Sequence, residues 1–324
     1  MSRYVDGTFK VVREPFAQMF SIHAFVKKDG ELKQLPMAFA LMSRRRTKDY
    51  KRVLTALIQR LPCRPRVQAV VSDFEAAVWK AVVKVLPGVQ HRGCAFHFAQ
   101  SVWRHVQSIG LQSTYTKDDS VNRLCRQTMS LPFLPADVIP AAFAELKAGD
   151  NVLMQKHLDY VRTTWVESTQ WPPSTWSVFR QPVRTNNDCE GWHYRLNAKA
   201  KHGRLNLYQL VQLLAAEASL VSVHVRLLSE GTTTRLQRSS YTKLHTRLNK
   251  YWDEYDDGHR TANRLLSACA RVIKHTWSRL ERLTIIYVYM YVFLGTLLNG
   301  LRGFSKGGLI YCILIRYFVF VLYS

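Results

Sequence analysis

In the run Arg66-Val67-Gln68-Ala69-Val70-Val71-Ser72-Asp73-Phe74-Glu75, a short β-branched segment ends abruptly at an acidic residue. A compact apolar segment such as Arg66 to Val71 is what a strand buried on both faces of a parallel sheet requires. Helical spacing takes over at once from Phe74 to Leu86, and Pro87-Gly88 stops it. Ligands of open α/β sheets gather beyond the carboxyl ends of the parallel strands, so Asp73 stands where such a sheet collects chemistry.

Towards the N-terminus, Val5 to Val12 reads as a strand, and Gln18 to Val26 as a second, with Pro15 between them. Lys27-Lys28-Asp29-Gly30 makes a turn with Asp-Gly at its tip, and Glu31 to Met42 is a third strand, giving an antiparallel meander. Asp6 belongs to the first strand, which is expected to be central and beside Asp73. From Thr47 to Leu61, Val53, Leu54, Leu57, Ile58 and Leu61 recur at helical spacing, with Thr47 as expected N-cap and Pro62 as terminator. Beyond Asp73, His91 to Ala95 reads as a fifth strand running into a helix, Phe96 to Ile109. This order predicts an α/β fold, a mixed sheet with helices on both faces, whose first part is residues 1–110.

Residues 111–183 are expected to be an all-α insertion, because Pro132, Pro135, Pro140, Pro172 and Pro173 cut the helical pattern into pieces. Residues 184–230 bring the final core helices. Asn187 or Asp188 caps the one containing Glu190, Trp192, His193 and Leu196, and Leu207 to Leu228 forms the next. Residues 231–282 read as a basic, amphipathic helical extension. The last part, 283–324, is apolar: Leu283 to Leu301 carries no charge and is almost long enough to span a bilayer, and Gly308 to Ser324 is similar apart from Arg316. A membrane anchor, a pair of core helices and translated non-coding sequence are three readings of this tail. A membrane is a partner only on the first.

Lys and Arg outnumber Asp and Glu by 46 to 23, a net charge of +23 that calls for a polyanion to offset its self-repulsion. Nucleic acid is the commonest one. With 47% hydrophobic residues in 324, the chain has enough apolar surface for one large core or two smaller ones, which excludes a disordered protein. The six cysteines (63, 94, 125, 189, 269, 312) lack the spacing of a disulfide framework, and the start has no apolar signal core, so a reducing compartment is expected.

Asp6, Asp73 and Glu190 close two strands and open a helix, so a fold can bring the three onto one divalent-metal site. Phosphodiester hydrolysis or exchange needs an activated nucleophilic oxygen and a stabilised leaving oxygen, and two Mg²⁺ (or Mn²⁺) ions held by carboxylates supply both. Asp6 would bridge the ions, with Asp73 and Glu190 holding one each. Singly, each acid has a plainer reading: a turn residue before Gly7, a cap for the next helix, a solvated helix side chain.

Four blocks carry a family resemblance: Asp6-Gly7-Thr8-Phe9-Lys10-Val11-Val12; Ser72-Asp73-Phe74-Glu75; Gly93-Cys94-Ala95-Phe96-His97-Phe98 followed by Trp103; and Arg184-Thr185-Asn186-Asn187 with Glu190-Gly191-Trp192-His193. In this order they resemble the signature blocks of Mutator-like element (MULE) transposases, and the resemblance runs from Asp6 to about His275. It implies a ribonuclease-H-like catalytic domain, a mixed five-stranded sheet flanked by helices, with an all-α insertion and a helical C-terminal extension. It also implies that Asp6, Asp73 and Glu190 are the catalytic, metal-binding Asp-Asp-Glu triad of DNA cleavage and strand transfer. The expected partners are transposon terminal repeats and target DNA, with a homodimer to pair two ends, and the expected location is the nucleus. A recognition module preceding this domain is expected to be missing from a chain that starts five residues before Asp6. The rival reading is a domesticated or decayed derivative that binds DNA in the nucleus without catalysis.

Around the acids, Cys94 and His97 form a C-x-x-H, half of a structural Zn²⁺ set, which Cys189 and His193 could complete. The preferred reading places His97 beside the metal ligands or against phosphate, with His193 in the same neighbourhood, and the plainest is a packed Cys and a hydrogen-bonded His. Trp192 is the best placed tryptophan to stack on a base, against the commoner role of tryptophan in a core. Arg184, Asn187, Arg195, Lys199, Lys201 and Arg204 are expected to contact DNA, or else to form a solvated basic face.

Overall fold

The computed structural model describes residues 2–8, 11–28, 31–63, 65–181, 187–200, 205–229, 239–272, 310–314 and 321–323. Two compact units divide the chain. One comprises 1–94, 185–236 and 306–324; the other comprises 95–184 and 237–305.

The first unit is a mixed sheet with helices on both faces. Its strands are β1 (Ser2–Thr8), β2 (Gln18–Lys28) and β3 (Glu31–Met42), followed by α1 (Thr47–Arg60), β4 (Ala69–Ser72), α2 (Ala76–Val85) and β5 (Gln90–Gly93). In space the order is β5-β4-β1-β2-β3, extended beyond β3 by β6 (Ile310–Leu314) and β7 (Val321–Tyr323), so seven strands form one sheet. β1, β2 and β3 pair antiparallel, while β1–β4 and β4–β5 are parallel. β1 is therefore central among the first five, because β4 adds in parallel to the open edge of the meander. The sequence does not foretell the last two strands: Gly308 to Ser324 reads as a continuation of the apolar tail, yet Ile310–Leu314 pairs with β3. Leu283 to Leu301 lies outside the described residues.

Alternation along β3 divides the core in two, since successive side chains of a strand point to opposite faces. Ala38, Ala40 and Met42 join Val5, Phe20 and Ile22 beneath Tyr50, Val53 and Leu54 of α1 and Val78, Ala81 and Val82 of α2. Phe39 and Leu41 face the other way, against Trp192, Leu196 and Ala200 of a helix over Asn187–Lys199 and Leu210 and Leu214 of a helix over Leu207–Ser229. Leu207–Leu227 is apolar and long enough to cross a membrane by length and composition. One face of it, with Leu210, Leu214 and Val221, is buried, while Tyr208, Leu220, Val223 and Val225 are exposed. Thr47 is not the cap of α1. Arg46 is, and Asp49 turns back to accept its backbone N–H at 3.0 Å.

The second unit is helical: α3 (Ala95–Ser108), α4 (Gln112–Lys117), α5 (Asp119–Ser130), α6 (Ile139–Ala144), α7 (Val152–Val161) and α8 (Pro173–Trp176). The helices at Asn187 and Leu207 are α9 and α10, and the second unit resumes with α11 (Ser239–Asp256) and α12 (Ala262–Val272). Asp118 and Asn151 cap α5 and α7 by accepting two backbone N–H groups each. An aromatic centre holds the unit: Phe98 stacks on Trp176 with centroids 4.7 Å apart and meets Trp165 edge-on at 4.8 Å. α3 packs on α5 and α7, and α12 packs on α5. The insertion and the basic extension, separate in the sequence reading, thus share one unit with α3.

Candidate active site

β1 and β4 set two acids side by side. Arg3 pairs with Val70 and Tyr4 with Val71, and carrying that parallel register two residues further brings Asp6 level with Asp73. Asp73 falls just past the end of β4. Both acids line one small cavity, of about 30 Å³, together with Gly7, Gln18, Tyr50 and Glu75.

Asp6 is buried, and its carboxylate is engaged on both oxygens. Oδ1 accepts the Gly7 N–H at 2.8 Å; Oδ2 lies 3.3 Å from His193 Nδ1 and 3.9 Å from Cys189 Sγ. A Cβ at Gly7 would stand 2.7 Å from Gln18 Oε1, the end of a side chain that would have to shift to admit it. Gln18 in turn donates to the Tyr50 hydroxyl at 2.6 Å.

Asp73 is held through its backbone. Its carbonyl accepts from Trp79 Nε1 at 2.8 Å and from Ser72 Oγ at 2.7 Å, and its Oδ1 accepts the Glu75 N–H at 3.3 Å. Ser72 Oγ also meets His91 Nε2 at 2.8 Å, and the His91 ring stacks on Trp79 at 3.9 Å. Burial holds His91 down to about 3, so it stays neutral near pH 7. Phe74 fills the space over Gly93, where a Cβ would stand 2.2 Å from its ring.

Glu75 is the acid that the sequence reading passed over. Its carboxyl is raised above the usual carboxylate range by burial and by the charge of Asp73, against the opposing pull of the Tyr50 hydrogen bond and of Arg45, 4.0 Å away. Carboxylates crowded in a half-buried cavity repel one another, and a hard divalent cation relieves that repulsion. Asp6, Asp73 and Glu75 are hard oxygen donors that share this cavity, but their carboxylates are not among the groups of described residues that converge within 4.8 Å of one another.

A family comparison bears on this geometry. Residues 3–101 match the model of the MULE transposase domain. That stretch carries a MULE transposase domain. That ties it to DNA transposition, to DNA as partner and, as for transposase domains generally, to divalent metal ions. No curated protein matches the chain.

Beyond the two aspartates of the MULE domain, the predicted site residues fare unequally. Glu190 lies on α9, which packs on β1 and β3, but its side chain is outside the described residues. Its neighbours Cys189 and His193 both reach Asp6. The side chains of Arg184, Asn187, Lys201 and Arg204 are also outside the described residues. Arg195 is exposed, and Lys199, half exposed, pairs with the buried Glu217. Trp192 is not open to a base. It is buried, stacked on Phe39 with centroids 5.2 Å apart, and its Nε1 donates to Glu217 at 2.8 Å. Its two-residue distance from Glu190 suggested exposure at the site, whereas helix geometry turns it onto the sheet.

Cys94 is fully buried at the end of β5, and its N–H donates to the Ser72 carbonyl; His97 lies in the first turn of α3. Among the described residues, the side chains of ligand type that converge closely are instead His23, Cys189 and His193. Ser21 Oγ lies 2.9 Å from Nε2 of both histidines. Burial, with His193 beside it, pushes His23 down to about 3.

Proposed function

We propose that this chain is the catalytic part of a MULE-type transposase, of ribonuclease-H-like fold, that cleaves DNA at element ends and joins the freed 3′-hydroxyl to target DNA. The observation that carries the reading is the cavity shared by Asp6 and Asp73 at the carboxyl ends of adjacent parallel strands. The order β5-β4-β1-β2-β3 supports the fold assignment, and the approach of α9 to β1 supports Glu190 as the third acid.

On this reading Asp6, Asp73 and Glu190 hold two Mg²⁺ or Mn²⁺ ions, and the ions, when bound, activate the attacking oxygen and stabilise the leaving one. The protein's own part is positioning. The Gly7 N–H and His193 fix the plane of the Asp6 carboxylate, and the Ser72, Trp79 and Glu75 contacts fix the turn that presents Asp73. Glu75, its proton affinity raised by burial and Asp73, becomes a further carboxylate when a cation is present. The net charge of +23 draws DNA without reading its sequence, and Arg195 is one described contributor. We extend the proposal to the nucleus as the site of work on chromosomal DNA and to a dimer that holds two ends together.

The test is nicking of supercoiled plasmid by purified full chain with Mn²⁺ or Mg²⁺, beside calorimetric titration of each ion. Metal-dependent nicking that Asp73→Asn abolishes is the expected result. DNA binding with neither nicking nor divalent-ion binding overturns the reading in favour of a non-catalytic DNA-binding derivative.

A further inference from the structure

We infer that the buried side of Asp6 is a second cation site, built from Cys189, His193 and His23 for a thiophilic divalent ion of the zinc class. Three elements supply it. α9 presents Cys189 and His193 four residues apart, on one face and one turn from each other. β2 presents Ser21 and His23 two residues apart, on one face of the strand. β1 places Asp6 directly opposite Ser21 in the antiparallel register.

The three ligand atoms all lie within 4.8 Å of one another. Cys189 and His23 are almost wholly buried, and His193 is 7% exposed. Zn–S bonds of about 2.3 Å and Zn–N bonds of about 2.0–2.1 Å leave tetrahedral ligands roughly 3.5 Å apart, so modest side-chain rotation closes the set on an ion. Asp6 Oδ2, 3.3 Å from His193 Nδ1 and 3.9 Å from Cys189 Sγ, stands outside the three mutually converging ligands and becomes the fourth donor only after a further side-chain shift. One thiolate, one carboxylate and two neutral imidazoles carry two negative charges, which a divalent ion balances. The thiol proton leaves to solvent on binding. Hard Mg²⁺ avoids sulfur and imidazole, so the donors themselves separate the two sites by ion type.

A hydrogen-bonded chain from His23 through Ser21 to His193 and Asp6 explains the two imidazoles. The buried Cys189 thiol adds only a long bond to the same carboxylate oxygen, at 3.9 Å. A cation gives the thiol, both imidazoles and the neighbouring carboxylate one common role. Neither Cys94 nor His97 belongs to this set.

The inference rests on side-chain placement and shares Asp6 and the positioning residue His193 with the cleavage reading, but neither Cys189 nor His23, so the two fail separately. Reduced full chain, stripped with chelator, is titrated with Co²⁺ as a spectroscopic substitute for Zn²⁺. A thiolate-to-cobalt charge-transfer band saturating at one equivalent and displaced by Zn²⁺ is expected. Cys189→Ser should remove the band, His23→Ala should weaken binding about tenfold or more, and Asp73→Asn should leave the band intact. Absence of the band, or its persistence in Cys189→Ser, overturns the site. X-ray absorption on the zinc-loaded unsubstituted chain decides the matter should the variants not fold. One sulfur neighbour at about 2.3 Å supports the site, and a shell of oxygen and nitrogen alone rejects it. Loss of plasmid nicking with the cobalt band retained would count against the cleavage reading only.

Discussion

The sheet unit and the helical unit differ in where their carboxylates lie. In the helical unit, several buried donors end on backbone, among them Trp176 Nε1 on the Trp171 carbonyl, Trp252 Nε1 on the Phe133 carbonyl and Thr128 Oγ1 on the Cys125 carbonyl, while Trp103 Nε1 and Ser130 Oγ meet no acceptor or donor among the described residues. Its described ion pairs, such as Arg180 with Asp253 and Asp256, lie in half-exposed positions. The sheet unit instead directs Asp6, Asp73 and Glu75 into one cavity and lets His193, Cys189 and Tyr50 reach the same carboxylates. Satisfying a buried donor on the spot stabilises a core. Gathering like charges costs stability, and a fold tolerates that cost where the charges have work to do.

The largest test of that contrast is Asp73→Asn. It should cut metal-dependent nicking by ~10²–10³-fold or more, as for loss of a group that stabilises transition-state charge, while thermal stability holds or rises. A comparable fall in stability would make Asp73 a structural residue and erase the contrast. Trp176→Ala should do the reverse. Removing a fully buried indole from the stack with Phe98 should cost about 3–5 kcal/mol by denaturant unfolding, with divalent-ion affinity unchanged.

The third test uses pH. Burial and the neighbouring His105 lower the His157 imidazole from 6.5 to about 4, so the unfolded chain takes up a proton at a pH where the folded chain does not. Its contribution is complete above pH 6.5 and is lost as pH falls towards 4, a difference on the order of 3 kcal/mol. His157→Gln should flatten the decline of melting temperature across that window relative to the unsubstituted chain. Equal slopes would remove His157 from the account of acid sensitivity. The smallest effect should come from Gly93→Ala. The added methyl meets Phe74, the residue after Asp73, and should cost about 1–3 kcal/mol with a weaker affinity for divalent ions. Stability lost without any change in ion binding would detach Phe74 from the site.

Local period and punctuation made most of the sheet unit legible. β2 and β3 occupy the runs that alternation marks, and Asp73 stands at the end of its strand as the abrupt stop after Val71 requires. Local pattern failed where partners are remote. Ser21 and His193 are 172 residues apart, and nothing on β2 alone distinguishes His23 from a packed histidine. Glu75 looks like a helix-start residue, and its place in the cavity depends on the turn that Ser72 and Trp79 hold closed. Trp192 misled because sequence distance from Glu190 says nothing about which side of a helix faces the sheet. The short cap at Arg46 was hidden because Thr47 is a good capping residue and the competing bond, from Arg46 to Asp49, is made one residue earlier.

Gly7 joins these threads. Any side chain there would push on Gln18, which holds the Tyr50 hydroxyl, and Tyr50 is bonded to Glu75. A change in a single codon beside Asp6 would thus be transmitted through two strands and a helix to an acid that it never touches. A copy of this gene could be silenced with every carboxylate still written in it, so counting acids in a degenerate copy is a poor measure of whether that copy still works.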